Sequence, residues 1–303
     1  MHLSDFTLSQ LRHTLNHQGL RLKIGPFVIR LRSNIDSISS CLSLLYEAYP
    51  LESSDSFSDF HLRLAPPPNL RRFYKPQVRF YFDEQEPFKP LPLAHAFPLF
   101  EWGLNWCIAK YAHQYLIFHS AVLEKNGKGL VLPGMPGAGK STLCAALMMS
   151  GWRLLSDEMA LLDPITLKLT PIPRPIALKN ESIDIIQALD HTAVIGPRSY
   201  DTSKGTVAHL KPTDTSIRKA SEEVSVNLVV IPKYKAAVKT SLTSMSNPEM
   251  LNHLISNSFN YNILRESAFE STCKLLDMTG CHTLEYSELG AAITCLDKLV
   301  VCG

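Results

Sequence analysis

Along the first ninety residues the apolar positions change period several times. Residues 20–33, LRLKIGPFVIRLRS, alternate apolar and polar on either side of Gly25-Pro26. A strand turns successive side chains to opposite faces, so this predicts a β-hairpin. In 35–49, IDSISSCLSLLYEAY, the apolar residues recur at helical spacing, with Asn34 or Asp36 as N-cap. DFHLRLAPPP then reads as a strand stopped by prolines, and QVRFYFDEQEPF as a strand and turn. Residues 94–113, AHAFPLFEWGLNWCIAKYAH, read as a packing helix with Trp102, Leu104 and Trp106 on its apolar side.

Farther on, strands are expected over 115–123 and 128–133, joined by the turn Lys125-Asn126-Gly127-Lys128. A helical run follows and stops at Ser150-Gly151, and WRLLS reads as the next strand. PIPRP, 171–175, breaks regular structure; 179–189 predicts a helix; 196–212 is polar and glycine-punctuated, so a loop. VNLVVIPKY is a buried strand, and 247–280 is helical with a break near Asn257–Asn262. CHTLEYS and ELGAAITCLDKLV give a late strand and a closing helix. The pattern is α/β, with a small α+β module over 1–92 and a larger domain over 93–303.

Composition narrows the class. At 303 residues, 45% apolar and 19% charged, the chain is long enough for a sizeable core and resembles a folded soluble protein. A net charge of +2 gives no electrostatic reason to expect nucleic acid or a membrane surface as partner. The N-terminus shows no signal-peptide pattern, and no apolar run approaches the ~20 residues that span a bilayer. Seven cysteines form an odd set with no C-x-x-C pair, which points to free thiols in a reducing cytoplasm.

The chemistry is concentrated in VLPGMPGAGKSTLCAALMMSGWRLLSDEMALLD, 131–163. Gly134 to Ser141 fit G-x-x-x-x-G-K-[ST], entered by a strand and left by a helix. Such a loop turns its amides inward onto phosphate oxygens, and the helix N-terminus behind it favours anions. Gly134, Pro136, Gly137, Ala138, Gly139, Lys140, Ser141 and Thr142 are the expected nucleotide-binding positions. Lys140 would reach the β- and γ-phosphates and Ser141 would ligate Mg²⁺, so ATP and Mg²⁺ are the expected cofactors. Asp157 and Glu158 arrive at the end of the next strand. A carboxylate there can take a proton from an incoming hydroxyl or bind metal.

The order Phe118-His119-Ser120, glycine loop, short helix ending in GWR, then LLSDE resembles the catalytic domain of bacterial HPr kinase/phosphorylase. By resemblance the same fold occurs in ATP-dependent phosphoenolpyruvate carboxykinase. That likeness covers roughly 115–190. More narrowly, nearly the whole chain is similar to the group called HprK-related kinase A, through FKPLPLAHAF, EWGLNWC, PRPIALKNESI, Thr202–Pro212 and SNSFNYN. The resemblance implies a P-loop kinase domain with Asp157 as proton acceptor and His119 positioning it. Mg²⁺ would sit on Ser141, helped by Glu158 or Glu181. Glu181, with Arg174 and Lys179 for phosphate charge, is a candidate only as a substitute within PRPIALKNES, which stands where the family carries its own Mg²⁺-binding stretch. The resemblance also implies a serine hydroxyl of a peptide or small protein as acceptor, a PqqD-like peptide-binding partner, and a homo-oligomer. Three features differ from HPr kinase: Glu158 replaces its second Asp, Ser120 replaces a Gly, and no R-G-x-G-I run follows Asp163.

Two other readings stay open: a kinase for a small hydroxylated metabolite, and a regulatory or assembly protein that binds ATP without an acceptor. His209 either faces substrate or packs. Lys204 and Gly205 either cradle phosphate or sit in a solvated loop. Arg198 and Arg265 read as surface residues. The hairpin of the N-terminal module offers an edge for strand addition by a peptide.

Overall fold

The hairpin over 20–33 forms as β1 (Leu20–Ile24) and β2 (Phe27–Ser33), in antiparallel register from Leu20↔Leu31 to Ile24↔Phe27. The computed structural model describes residues 1–134 and 137–302. Ahead of the hairpin lies α1 (Leu8–Asn16), started by a Thr7–Gln10 capping box. After it comes α2 (Asp36–Leu45), whose N-cap is Ile35 rather than Asn34 or Asp36. Asp36 instead takes the first helical position, where its carboxylate favours the positive end of the helix dipole. β3 (Phe60–Ala65) pairs parallel to β2, β4 (Gln77–Phe82) antiparallel to β3, and the short β5 (Leu91–Pro92) completes a five-stranded sheet. The edge of β1 is not open to strand addition. Residues 50–52 lie along it, with Lys23 N donating to Pro50 O and Glu52 N to Arg21 O.

The inner face of this sheet, with Leu22, Ile29, Leu62 and Phe80, packs against α2 and α3 (Ala96–Tyr111). A Cβ on Gly103 would lie 2.2 Å from the Phe80 ring, so the bare backbone of α3 presses on β4 at that point. This rotates Trp102 outward: it is 45% exposed and stacks on Phe88, while Trp106 is half-buried. The buried stripe runs through Phe97, Phe100, Leu104 and Ile108 instead. The same core takes in Ile117, Met159, Leu161 and Ile172, so α3 and the N-terminal sheet are continuous with the elements that follow.

The stretch 115–123 is two strands rather than one. β6 (Leu116–Phe118) and β7 (Ser120–Lys125) part at His119. Then come β8 (Lys128–Pro133), α4 (Lys140–Met149), β9 (Arg153–Ser156), β10 (Ala160–Leu162) and β11 (Lys168–Thr170). β12 (Ile176–Lys179), α5 (Glu181–Leu189), β13 (Ser199–Thr202), β14 (Gly205–Leu210) and α6 (Asp214–Arg218) follow. The chain closes with β15 (Val224–Tyr234), β16 (Ser241–Ser244), α7 (Asn247–Ser256), α8 (Tyr261–Leu264), α9 (Glu266–Asp277), β17 (Gly280–Tyr286) and α10 (Leu289–Cys302).

The largest sheet runs β6-β10-β11-β15-β8-β7-β9, with β17 also pairing β15 and β16 pairing β17. β8 lies between β15, parallel to it, and β7, antiparallel. Both faces are buried, and the alternation shows it. Leu130 and Leu132 face α4, α5 and α10, while Val131 faces α7 and α9. The fold is mixed α/β.

The polar stretch 196–212, expected as a loop, instead holds β13 and β14, which with β12 make a third sheet in the order β12-β14-β13. β14 is buried on both faces at its end: Ala208 and Leu210 lie against the α4 core, and Val207 and His209 on the other face are buried as well. The signal was masked by the polar β13, the turn at Lys204-Gly205 and the histidine within a short buried run. Six cysteines are free thiols, and the Cys302 side chain lies outside the described residues. No described helix is long and apolar enough to cross a membrane.

Candidate functional site

β8 delivers the chain to the glycine loop and α4 leaves it. Pro136, one of the expected nucleotide-binding positions, lies outside the described residues. Gly137 and Gly139 have φ of 90° and 82°, the left-handed region that penalises any Cβ. At Gly139 space is also short. A Cβ would lie 2.6 Å from Tyr286 Oη and 3.1 Å from Tyr234 Cβ. Tyr286 Oη donates to Gly139 O at 3.3 Å, and Tyr234 N to Ala138 O at 3.4 Å. The parallel ends of β15 and β17 therefore brace the loop, since Tyr234 and Tyr286 are register partners. Gly134 sits against Ala138 and Pro232 at ordinary contact distances.

α4 has Gly139 as N-cap and no side-chain cap. Its first-turn amides have no intrahelical partner by construction, which makes this helix start a favourable place for an anion. Ser141 and Thr142 occupy that turn, half-buried. Lys140, the first helical residue, is buried, and its Nζ has no hydrogen-bond partner among the described residues. Burial lowers its pKa, while the nearby carboxylates Asp157 and Glu158 favour its charge.

Asp157 follows β9 and is buried. Its Oδ2 accepts from Ala177 N at 3.2 Å, and its Oδ1 has no hydrogen-bond partner among the described residues. The Ser141 hydroxyl and Cys144 thiol lie against the carboxyl, close enough to bias its charge, but neither closes a hydrogen bond of ordinary geometry to Oδ1. Burial, with Glu158 beside it, pushes the Asp157 pKa up to about 6, against the pull of Lys140 and Lys179. Ser156 Oγ accepts from Met159 N at 3.1 Å and turns the chain just past the acid pair.

Glu158 is half-buried and accepts a hydrogen bond from Asn105 Nδ2. Burial opposes its ionisation, but Lys179, Lys204, Arg174 and Lys140 together hold its pKa below the usual carboxylate value. Asn105 Oδ1 in turn accepts from Arg174. Arg174 Nη1 reaches the backbone O and the Oε2 of Glu101, each at 3.3 Å, and Tyr46 Oη donates to Glu101 Oε1 at 2.6 Å. A buried polar chain thus runs Tyr46–Glu101–Arg174–Asn105–Glu158, from the end of α2 to the acid pair. Burial raises the Glu101 pKa to about 7 despite Arg174. A cavity of about 20 Å³ lies behind the acid pair, against Asn105, Arg174 and His209.

His119 stands where β6 and β7 diverge, its N donating to Asn257 O at 2.6 Å and its ring tilted on Phe259. Burial, then Lys140, lower its pKa to about 4, so the ring is neutral at pH 7. Lys179 and Lys204 act on the same groups from the third sheet. What brings them together is Asn180, whose Oδ1 accepts from Thr206 N at 3.0 Å. A Cβ on Gly205 would lie 2.3 Å from that same oxygen, so only glycine lets the β13–β14 turn close on β12.

The fold thus gathers His119, Lys140, Ser141, Asp157, Glu158, Lys179 and Lys204. Glu181 is not brought in: it is exposed in the first turn of α5 and is absent from the charges acting on the cluster. Ser141 stands beside Asp157. Among the described residues no group of three or more His, Cys, Asp and Glu is placed to hold a metal. His209 packs: it is buried, edge-on to Phe97, and burial lowers its pKa to about 4. Glu101 and Asn105 were not singled out in the sequence. Their signal was two polar residues four apart in an otherwise apolar helix, which places both on one face.

No protein-family profile matches the chain, and no curated protein does. Among solved structures, the HPr(Ser) kinase/phosphatase from Coxiella burnetii is similar over 62% of this chain and 99% of its own, at 13% identity and a TM-score of 0.27. A superposition that loose leaves the chemistry to the chain's own residues.

Proposed function

We propose that the chain is an ATP- and Mg²⁺-dependent phosphotransferase that moves the γ-phosphate to a serine hydroxyl of a peptide or small protein. The observation that carries this reading is the pair Lys140 Nζ and Asp157 Oδ1, both buried and both without a partner among the described residues. A buried polar atom left unpaired costs roughly 1–3 kcal/mol, so two beside one glycine loop support a missing anion and a missing proton donor. The residues fit the cofactors. The α4 amides and Lys140 suit phosphate oxygens, and the Ser141 hydroxyl and the Glu158 carboxylate are the hard oxygen donors that would hold Mg²⁺, which leaves Asp157 free to act as base.

When bound, ATP supplies the phosphoryl group and Mg²⁺ draws off the charge that develops on its oxygens. Lys140 holds the β- and γ-phosphates. Asp157 takes the proton of the acceptor hydroxyl as the new O–P bond forms and the bond to the β-phosphate oxygen breaks, releasing ADP. A pKa of about 6 leaves Asp157 ionised at neutral pH yet basic enough for that role. Neutral His119 orients the acceptor side, and Asn105 fixes Glu158. The peptide or small-protein acceptor follows from the resemblance to HprK-related kinases, and a PqqD-like protein is the partner class it suggests.

The test is transfer of labelled γ-phosphate in Mg²⁺ to small proteins encoded beside the gene, and to free serine, with Asp157→Asn as comparison. The expected result is a labelled protein with wild type, and nucleotide binding without transfer in the variant. Label on free serine alone would establish a metabolite kinase instead. Binding without any transfer by wild type would favour a regulatory ATP-binding protein.

A further inference from the structure

The outer face of the N-terminal sheet carries a charge pattern that neither its fold nor the phosphotransfer site uses. Helices cover only one side of this sheet. On the other, strand register sets Arg21 opposite Arg30, Arg30 beside His61, Arg32 beside Arg63, and Arg63 opposite Tyr81. Like charges on neighbouring strands of one face disfavour pairing. The sheet nevertheless places arginine beside arginine twice. Little local charge offsets this. Arg63 pairs with Glu84 at 2.8 Å and lies over the Tyr81 ring at 3.6 Å. Among the described residues the Arg30 side chain donates only to Gln18 O, and that of Arg21 only to Ser56 O. Arg32 is exposed and makes no ion pair or side-chain hydrogen bond among the described residues.

These side chains line a notch of about 60 Å³, with Arg30, Arg32, His61, Arg63 and Tyr81 joined by Asp83 and Glu84. The guanidinium fork matches a carboxylate in two parallel hydrogen bonds, and the Tyr81 ring gives the notch an apolar wall. We propose that this face docks an acidic segment of a protein partner, with Asp or Glu side chains seated among Arg30, Arg32 and Arg63. Asp83 and Glu84 line the same notch, so its net positive charge is small and suits one or two carboxylates of a short acidic segment better than the continuous phosphates of a nucleic acid. With the edge of β1 occupied by residues 50–52, the bare face rather than the edge is what the module presents. The inference does not depend on the phosphotransfer reading.

Fluorescence anisotropy on the full chain tests it. The probes are a labelled oligoglutamate peptide, an oligoglutamine peptide of the same length, an oligothymidylate, and vesicles containing phosphatidylserine. The discriminating variant is Arg32→Glu. It places a carboxylate beside Arg63, so the fold should be as stable as wild type or more so, and lost binding cannot be blamed on unfolding. Oligoglutamate should bind wild type, weaken as salt rises, and weaken about tenfold or more in the variant, with the melting temperature and nucleotide binding unchanged. Equal binding of oligoglutamine, no binding of oligoglutamate, or an unaffected Arg32→Glu would overturn the proposal. Tighter binding of the oligonucleotide or the vesicles than of oligoglutamate would also overturn it, in favour of a phosphate-bearing partner.

Discussion

Lys140 Nζ and Asp157 Oδ1 are both buried, both unpaired among the described residues, and within range of each other's charge. An interior that satisfied itself would close this pair into a salt bridge or replace it with apolar side chains. Here each group keeps one bonding position open beside a helix start that favours anions.

That arrangement makes Lys140→Met the first variant to build. It keeps the length and apolar stem of the side chain and removes the charge. Nucleotide affinity, read by titration with a fluorescent ATP analogue in Mg²⁺, should fall by roughly 10–100-fold, the range for losing hydrogen bonds to a charged group. Unchanged affinity would remove Lys140 from the site.

The polar chain behind the acids gives a prediction about position rather than contact. Asn105 donates to Glu158 and accepts from Arg174, so Asn105→Ala removes a hydrogen bond from each, leaving Arg174 held by Glu101 alone. We expect about 1–3 kcal/mol lost in denaturant unfolding. In the transfer assay kcat should fall with the KM for ATP unchanged, because Glu158 is mispositioned while the glycine loop is untouched. Asn105→Gln, which keeps the amide, should recover part of the loss. A variant that lowers stability alone would make Asn105 a packing residue.

Glu101 supplies a pH test with a definite sign. Burial raises its folded pKa from 4.5 to about 7. The folded protein therefore holds this proton more tightly than the unfolded chain does. The stability it contributes is complete below the unfolded value and is lost as pH rises through about 7. Glu101→Gln removes that dependence. Relative to wild type the variant should gain stability between pH 5 and 8, by up to roughly 3 kcal/mol. A constant difference across that range would mean that Glu101 is ionised in the folded protein throughout.

How much of this was legible in the chain depended on how local each signal is. The glycine loop, Lys140 and Asp157 belong to one strand–loop–helix–strand run, and their meaning survives without knowing what packs around them. His119 needed the sheet: nothing in YLIFHSAV says that the strand splits there and feeds two different partners. The 196–212 hairpin was hidden because β13 is polar and the buried run Val207–Leu210 is only four residues long and includes His209. Lys204 then joins Lys179 only through the Asn180–Gly205 contact, which closes a loop across 24 residues of intervening chain in sequence terms. Glu101 and Asn105 were visible as polar positions on α3, but their partners come from α2, the 171–175 segment and the end of β9, so their use could not be read from the helix itself.

The last prediction concerns which glycines the loop needs, and why. Gly137 and Gly139 share a left-handed backbone, which costs an L-residue about 1–2 kcal/mol. Only at Gly139 would a Cβ also strike a neighbour, Tyr286 Oη at 2.6 Å; at Gly137 it would meet nothing within 4 Å. Gly139→Ala should therefore lose more stability and more nucleotide affinity than Gly137→Ala. Removing the obstructing oxygen should separate the two costs. In a double-mutant cycle, Tyr286→Phe should partly rescue Gly139→Ala and leave Gly137→Ala unimproved, because relief of a clash couples only residues in contact. Equal effects of the two alanines, or no coupling to Tyr286, would mean that backbone conformation alone sets the glycine requirement and that the β15 and β17 ends do not brace the loop.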